Sequence, residues 1–382
     1  EQESFIVMAT ITYPNLMEID FGAIKVLGDA LKRNGITRPL ICTDKGIVDC
    51  GIFDTVRGVI PNDVEPILFD GTPANPTEVA VRQALKLYWE NDCDGIVAIG
   101  GGSSMDLGKG VALLSTHDGP INDWSAVNNG REKIGACPPI IAMPTTAGTG
   151  SEVGGGAVII TEDGHKVVIG SPNLLPRMAI CDPELTLGLP KHLTAATGMD
   201  AMAHCIEAYC THVVNPPAAA IGLDGLGRVV TYLKRAVEDG QDREARWHMM
   251  MAASEGAMAF SKGLGAVHSM SHAIGADEEM RLHHGTLNAV LLPTVLRFNT
   301  NDVGDKFVRL RRAMGLAEGA DIATWIEGYN GELGLPAGLG EMGVTEAMFH
   351  DLSVHCMTDA CHFANPRTPT VPEYEQMFAD AL

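Results

Sequence analysis

The chain is short of positive charge and of long apolar runs, and each shortage removes a class of function. Against 48 acidic residues stand 27 Lys and Arg, a formal net charge of −21. So acidic a surface repels phosphate backbones, and without any basic stripe nucleic acid is not an expected partner. No apolar stretch reaches the roughly 18 residues that a membrane span needs, so a membrane is not expected either. The opening residues EQESFIVMAT are acidic and lack the basic and apolar regions of a signal peptide, which makes cytoplasm the expected compartment. C-x-x-C pairs are also missing. The nine cysteines lie mostly in apolar segments such as AHCIEAYC, where reduced, buried thiols are expected. Cys356, Cys361 and His362 cluster near the C-terminus, but their spacing is a weak metal signature.

What remains is the composition of a compact soluble protein of two domains: 382 residues, 46% hydrophobic and 20% charged. In the first half, short apolar runs alternate with helical patterns. Strands are predicted over 38–46, ending at Asp44, and over 66–71, 94–102, 138–146 and 177–186. A helix is predicted over 77–92 with Thr77 as N-cap, and a β-hairpin over 156–170 turning at Asp163-Gly164. Continuous apolar strands interleaved with helices predict a parallel α/β sheet. From Thr194 onward the text is rich in Ala, Met and Leu at helical spacing. The reading is therefore an α/β domain over 1–187 followed by an all-α helical domain over 188–382.

Three strand ends suit a dinucleotide. GGGSSMD (100–106) lets backbone approach closely and then opens a helix, whose free N–H groups and dipole favour a pyrophosphate. Met105 breaks the G-x-G-x-x-G fingerprint, and a glycine-rich turn alone is structural as often as functional. PTTAGTGSEV (144–153) adds the hydroxyls of Thr145, Thr146 and Thr149. Asp44 is placed either to accept from a ribose hydroxyl or to start a turn. Asn75 reads equally as a helix-entry residue or a cofactor contact. Convergence, not any one of these residues, favours a cofactor.

The second half carries metal chemistry. In GMDAMAHCIEAY, Asp200 precedes His204 by four residues, so both lie on one face of a helix with buried neighbours. Burying a carboxylate and an imidazole is costly unless they bond each other or share a cation. His268 and His272 repeat the spacing, and His283-His284 precede Gly285. Aspartate plus several histidines makes a mixed N/O site suited to Fe²⁺ or Zn²⁺, with room for a substrate oxygen if one position stays open.

Together GGGSSMD, PTTAGTGSEV, DPELTLGLP, TAATGMDAMAHCIEAY and the His-x-x-x-His…His-Gly stretch resemble the iron-containing (group III) alcohol dehydrogenase family, in its order and from about residue 10 to the end of the chain. The resemblance implies an N-terminal Rossmann-like domain, a C-terminal helical domain, the architecture shared with dehydroquinate synthase, and NAD(P) in the cleft between them. It places the metal ligands on Asp200, His204, His268 and His284, with His283 as a lesser candidate. His272 falls on a further active-site histidine. Cofactor contacts fall on Asp44, Asn75, Gly101, Gly102, Ser103, Thr145, Thr146, Thr149, Lys166 and Leu185. Gly154-Gly155-Gly156 departs from the polar residue many members carry there. Asp44 matches the pattern that prefers NAD to NADP, because a carboxylate repels the 2′-phosphate.

The expected chemistry is reversible alcohol oxidation, with hydride passing to the nicotinamide. His272 is the candidate proton carrier, or else a hydrogen-bond partner beside the metal. The segments FDGTPANPTE, HHGTLNAVLLP and LRRAMGLAEGADIA are most similar to 4-hydroxybutyrate dehydrogenases, implying a short ω-hydroxy acid; a simple alcohol or 1,3-propanediol is the alternative. Arg281 and Lys262 are conceivable carboxylate anchors, each read first as a surface residue. A metal- and NAD-dependent lyase of the dehydroquinate synthase type would need a basic phosphate pocket that the helical half lacks. A non-catalytic scaffold would have no use for the metal-capable side chains. A homo-oligomer is expected.

Overall fold

The computed structural model describes residues 15–277 and 280–382; the segment EQESFIVMAT, on which the expected compartment rested, lies outside the described residues. The strands are β1 (Leu16–Ile19), β2 (Pro39–Cys42), β3 (Ile67–Phe69), β4 (Gly95–Gly100), β5 (Ile140–Pro144), β6 (Gly156–Ile160), β7 (Lys166–Gly170) and β8 (Met178–Cys181). Six of them form one parallel sheet in the order β1-β8-β5-β4-β2-β3. β2, β4, β5 and β8 are buried at every residue, as strands covered on both faces must be. Separate apolar clusters pack on the two faces of this sheet.

β6 and β7 pair antiparallel as a hairpin of their own, from Gly156 opposite Gly170 to Ile160 opposite Lys166. The helix Glu78–Glu90 starts as expected, Thr77 Oγ1 accepting from the Ala80 amide at 3.2 Å. β2 stops at Cys42, short of Asp44, because Asp44 caps the helix Lys45–Asp49: its Oδ1 accepts from the Ile47 amide at 3.1 Å. β1 escapes the sequence reading. It is a four-residue strand, half exposed and interrupted by Glu18, recognisable only by its register against β8.

The strand order determines where a ligand fits. From β2 the chain moves outward to β3, while from β4 it moves the other way to β5. The carboxyl ends of β2 and β4 therefore flank the switch point of the sheet, where open α/β sheets bind their ligands. Asp44 lies just beyond one of these ends and Gly101-Gly102 just beyond the other.

After β8 the chain becomes helical. The helix Lys191–Cys210 is buried at every position from Thr194 on, and it runs through a core built with Pro216–Glu238, Arg243–Ala259 and His284–Asn299. Small residues set these distances. At Gly285 a Cβ would come within 2.4 Å of the Ala196 carbonyl oxygen, so only glycine lets the helix His284–Asn299 cross this closely and bring His284 to Asp200.

Candidate metal and dinucleotide site

Four side chains from three helices converge. Asp200 and His204 come from Lys191–Cys210, His268 from Ala266–Gly275, and His284 opens His284–Asn299. Asp200 Oδ1 lies 3.8 Å from His204 Nε2, 3.8 Å from His268 Nε2 and 3.7 Å from His284 Nε2. Tetrahedral ligands about 2.1 Å from a cation stand about 3.4 Å apart, close to this spacing. Asp200, His204 and His268 are at most 4% exposed.

The tautomers and orphaned atoms fit a cation as well. Glu207 Oε2 takes the Nδ1 proton of His268 at 2.6 Å, leaving the Nε2 lone pair to face inward, while Glu207 Oε1 accepts from the Val267 amide. The Asn288 amide nitrogen is 2.7 Å from Asp200 Oδ1 and 3.1 Å from both His268 Nε2 and His284 Nε2. An amide with two hydrogens cannot serve three acceptors, so this donor set has more lone pairs than the protein itself satisfies. Burial lowers the pKa of His204 to about 4 despite the charge of Asp200, and holds His284 well below its ordinary value, so both rings are neutral and available as ligands.

His283 points elsewhere. It caps its own helix, its Nδ1 accepting from the Thr286 amide at 3.4 Å. His272 packs beside the cluster, stacked on His284 with centroids 5.3 Å apart. Its Nδ1 bonds Asp359 Oδ2 at 2.9 Å, and Asp359 Oδ1 accepts from the Cys361 amide at 2.8 Å. Burial opposes ionisation of Asp359, but the facing His272 and these hydrogen bonds outweigh it and hold the carboxyl far below its usual range. Of the C-terminal cluster, Cys356 Sγ meets the Ser269 carbonyl and His362 the Tyr374 hydroxyl, and all nine cysteines are free thiols.

On the sheet side, Gly101 and Gly102 start the helix Gly102–Leu114 against the second glycine-broken loop. A Cβ on Gly101 would meet Thr146 at 3.4 Å, and one on Gly102 would come within 2.6 Å of Thr149, a clash. Ser103 Oγ donates to the Ala74 carbonyl, Thr145 N donates to the Gly100 carbonyl, and Asn75 Oδ1 accepts from Lys166 Nζ at 3.1 Å. Nine of the ten expected cofactor residues thus surround the switch point or the hairpin beside it. Leu185 instead packs in the apolar core with Ile180 and Met143. The loop 144–153 also reaches the helical half, Gly148 lying directly against Thr197, three residues before Asp200. Lys166 spans the same gap: burial lowers its pKa to about 8, while Asp106, Asp359 and Asp200 act in the opposite direction.

One expectation is corrected. Lys262 is not a surface residue: it is 5% exposed, and its Nζ donates to the Tyr209 carbonyl, near the C-terminal end of the helix and roughly 13 Å along it from Asp200. A site there cannot anchor the tail of a short substrate held at Asp200. Arg281 is exposed, in the turn before His283.

Sequence reasoning overlooked Glu207, Asn288 and Asp359. Two of them left a signal, since Asn288 lies one turn after His284 and Glu207 three residues after His204, on a helix with almost no exposed face. A buried, unpaired polar residue on a ligand-bearing helix is a candidate partner. The buried Lys109, which donates to Ser151 Oγ and the Ser151 and Gly156 carbonyls, also went unnoticed; it ties the glycine-rich helix to the loop and the hairpin.

The chain is similar to known proteins over nearly its whole length. Residues 14–183 match the family "Iron-containing alcohol dehydrogenase" and residues 194–382 match "Fe-containing alcohol dehydrogenase family, C-terminal". A 4-hydroxybutyrate dehydrogenase of Cupriavidus necator is 49% identical, covering 98% of this chain and 100% of its own. Among solved structures, a 1,3-propanediol oxidoreductase superposes with a TM-score of 0.93 at 33% identity, covering 98% of this chain and all of its own. A sulfoacetaldehyde reductase from Bifidobacterium kashiwanohense in complex with NAD+ superposes with a TM-score of 0.86 at 27% identity, covering 98% and 99% of the two chains.

Proposed function

The chain belongs to the iron-containing alcohol dehydrogenase family, and we propose that this enzyme uses NAD and one divalent cation to interconvert 4-hydroxybutyrate, or a similarly short ω-hydroxy acid, with its aldehyde. The observation that carries the metal part is the meeting of Asp200, His268 and His284 around an amide that cannot satisfy all three, with His204 Nε2 3.8 Å from the same Asp200 oxygen. That arrangement favours Fe²⁺ or Zn²⁺ over the hard, all-oxygen sites of Mg²⁺ and Ca²⁺. The substrate assignment is supported by the likeness to the Cupriavidus necator enzyme.

When bound, the cation supplies Lewis acidity that makes the alcohol a stronger acid, and NAD accepts the hydride. The chain's own residues do the rest. Glu207 holds His268 with its lone pair inward, and Asp359 leaves His272 one ring nitrogen free to take the alcohol proton. The N-terminus of Gly102–Leu114 offers backbone N–H groups to the pyrophosphate, with Thr145, Thr146 and Thr149 on the facing loop. Asp44 sets the preference for NAD through its repulsion of a 2′-phosphate. Asn75 and Lys166, bonded to each other, stand between the two sites. Dinucleotide binding belongs to residues 1–187 and metal binding to 188–382, so the reacting carbons meet at the seam.

The test is metal analysis of the purified protein followed by NADH formation from 4-hydroxybutyrate, 1,3-propanediol and ethanol. The highest kcat/KM with 4-hydroxybutyrate supports the reading. A preference for the diol or ethanol overturns the substrate assignment, and metal bound without NADH from any alcohol overturns the dehydrogenase reading.

A further inference from the structure

Lys109 lies in the middle of the helix Gly102–Leu114 with 0% exposure. Burying an ammonium is costly, and leucine or methionine would fill the same space without that cost. Its partners show what the charge does there. Lys109 Nζ donates to the Ser151 carbonyl at 2.7 Å, to Ser151 Oγ at 2.6 Å and to the Gly156 carbonyl at 2.7 Å. All of its hydrogens are thereby used. Ser151 Oγ in turn donates to Asp106 Oδ1 at 2.7 Å, and Asp106 Oδ2 accepts from the Val158 amide at 2.9 Å. Burial lowers the pKa of Lys109 to about 8, with Asp106 and Glu152 opposing, so it is charged at neutral pH.

These bonds join three elements. Asp106 and Lys109 stand about one turn apart on the helix whose first residues are Gly102 and Ser103. Ser151 follows Thr149 in the loop that also carries Thr145 and Thr146. Gly156 and Val158 belong to β6, whose far end at Ile160 pairs with Lys166. The elements bearing most of the expected cofactor contacts therefore meet at one ammonium, and the metal group is not among its partners. The spacing they set is tight: a Cβ on Gly102 would come within 2.6 Å of Thr149.

We propose that Lys109 is a positioning residue for the dinucleotide. Through Ser151 and Asp106 it holds the threonine-bearing loop and the hairpin against the glycine turn, so that NAD meets a preformed cleft. The proposal rests on the NAD-dependent reading. Lys109 acts through the groups it holds and does not itself touch the cofactor, so its effect falls on binding and not on hydride transfer. Ser151 serves as the relay because its one hydroxyl hydrogen goes to Asp106 while a lone pair accepts from Lys109. Losing the ammonium would leave two buried carbonyls and this hydroxyl without their donor, and the loop free to shift from the turn.

The experiment is titration of the purified, metal-loaded protein with NADH in the absence of alcohol or aldehyde, followed by nicotinamide fluorescence. Folding of each variant is checked by circular dichroism and urea unfolding. Lys109→Met is expected to raise the Kd for NADH about tenfold or more, and Ser151→Ala about three- to fivefold. Steady-state kinetics should show the KM for NAD rising by similar factors, with kcat at saturating NAD within about twofold of the unsubstituted enzyme and metal content unchanged. If Lys109→Met does not fold, Ser151→Ala decides alone. A folded variant that binds NADH as tightly as the unsubstituted chain overturns the proposal, whatever stability it has lost, because the lysine is then merely structural. A fall in kcat with KM unchanged overturns it too. Failure of the unsubstituted chain to bind NADH sinks the NAD reading and the proposal with it, whereas binding that both variants retain sinks the proposal alone.

Discussion

The two halves of the site are built in opposite ways. Around Asp200 the helical half buries charged and imidazole side chains, each oriented by another polar group such as Glu207 or Asn288. At the end of β4 the sheet half offers Gly101, Gly102 and Ser103, where side chains are small or missing and the backbone is left open to approach. In the proposed function the first would recognise its ligand by donor chemistry and the second by shape. Losing a donor atom should therefore abolish function, whereas adding an atom to the turn should only weaken cofactor binding.

The comparison is tested most severely by removing a donor. Asp200→Ala or His268→Ala is expected to lose the bound metal and about a thousandfold or more in kcat/KM, several kcal/mol of charge stabilisation; metal analysis and steady-state kinetics check this. Glu207→Gln keeps the shape but weakens the hold on His268. Metal affinity is then expected to fall about 10- to 100-fold, as read by competition with a chelator. On the sheet side, Gly102→Ala places a Cβ 2.6 Å from Thr149. Overpacking of about 1–2 kcal/mol predicts roughly a tenfold rise in the KM for NAD, with metal content unchanged. If Gly102→Ala loses metal as well, the two halves are not independent and the comparison fails.

Acid offers a gentler test of the metal half. His204, ordinarily near 6.5, is lowered to about 4 by burial, so between these values the unfolded chain binds a proton that the folded chain does not. The metal-free protein should lose stability as pH falls from about 6.5 towards 4, by roughly 3 kcal/mol from this group. Urea unfolding of metal-free protein at a series of pH values measures it, and His204→Gln should flatten the slope. The smallest effect is expected at Asp44. Asp44→Ser removes the repulsion of a 2′-phosphate while keeping a capping side chain, so the ratio of kcat/KM for NAD over NADP should fall with little change in stability.

How far the sequence revealed each half follows from the same contrast. Asp200-His204 and His268-His272 were legible because two polar residues at helical spacing, among buried neighbours, demand a partner. Asp359 was not, since it sits in a turn beside cysteines and meets His272 across 87 residues of chain. Lys262 read first as a surface cation, yet its ammonium is buried against the Tyr209 carbonyl. The buried strands were plain as apolar runs, and most of their ends fell within two residues of the expected ones. β1 was not plain: an edge strand that small is defined by its neighbour, not by its own pattern.

Everything turns on where the cation sits. Crystals of the iron- or zinc-loaded enzyme with NAD, measured at the metal's absorption edge, would place it directly. One anomalous peak is expected about 2.0–2.3 Å from Asp200, His204, His268 and His284. A peak at His272, Asp359 and Cys361 instead, a second cluster with the right donors, or no peak between these helices, would contradict it.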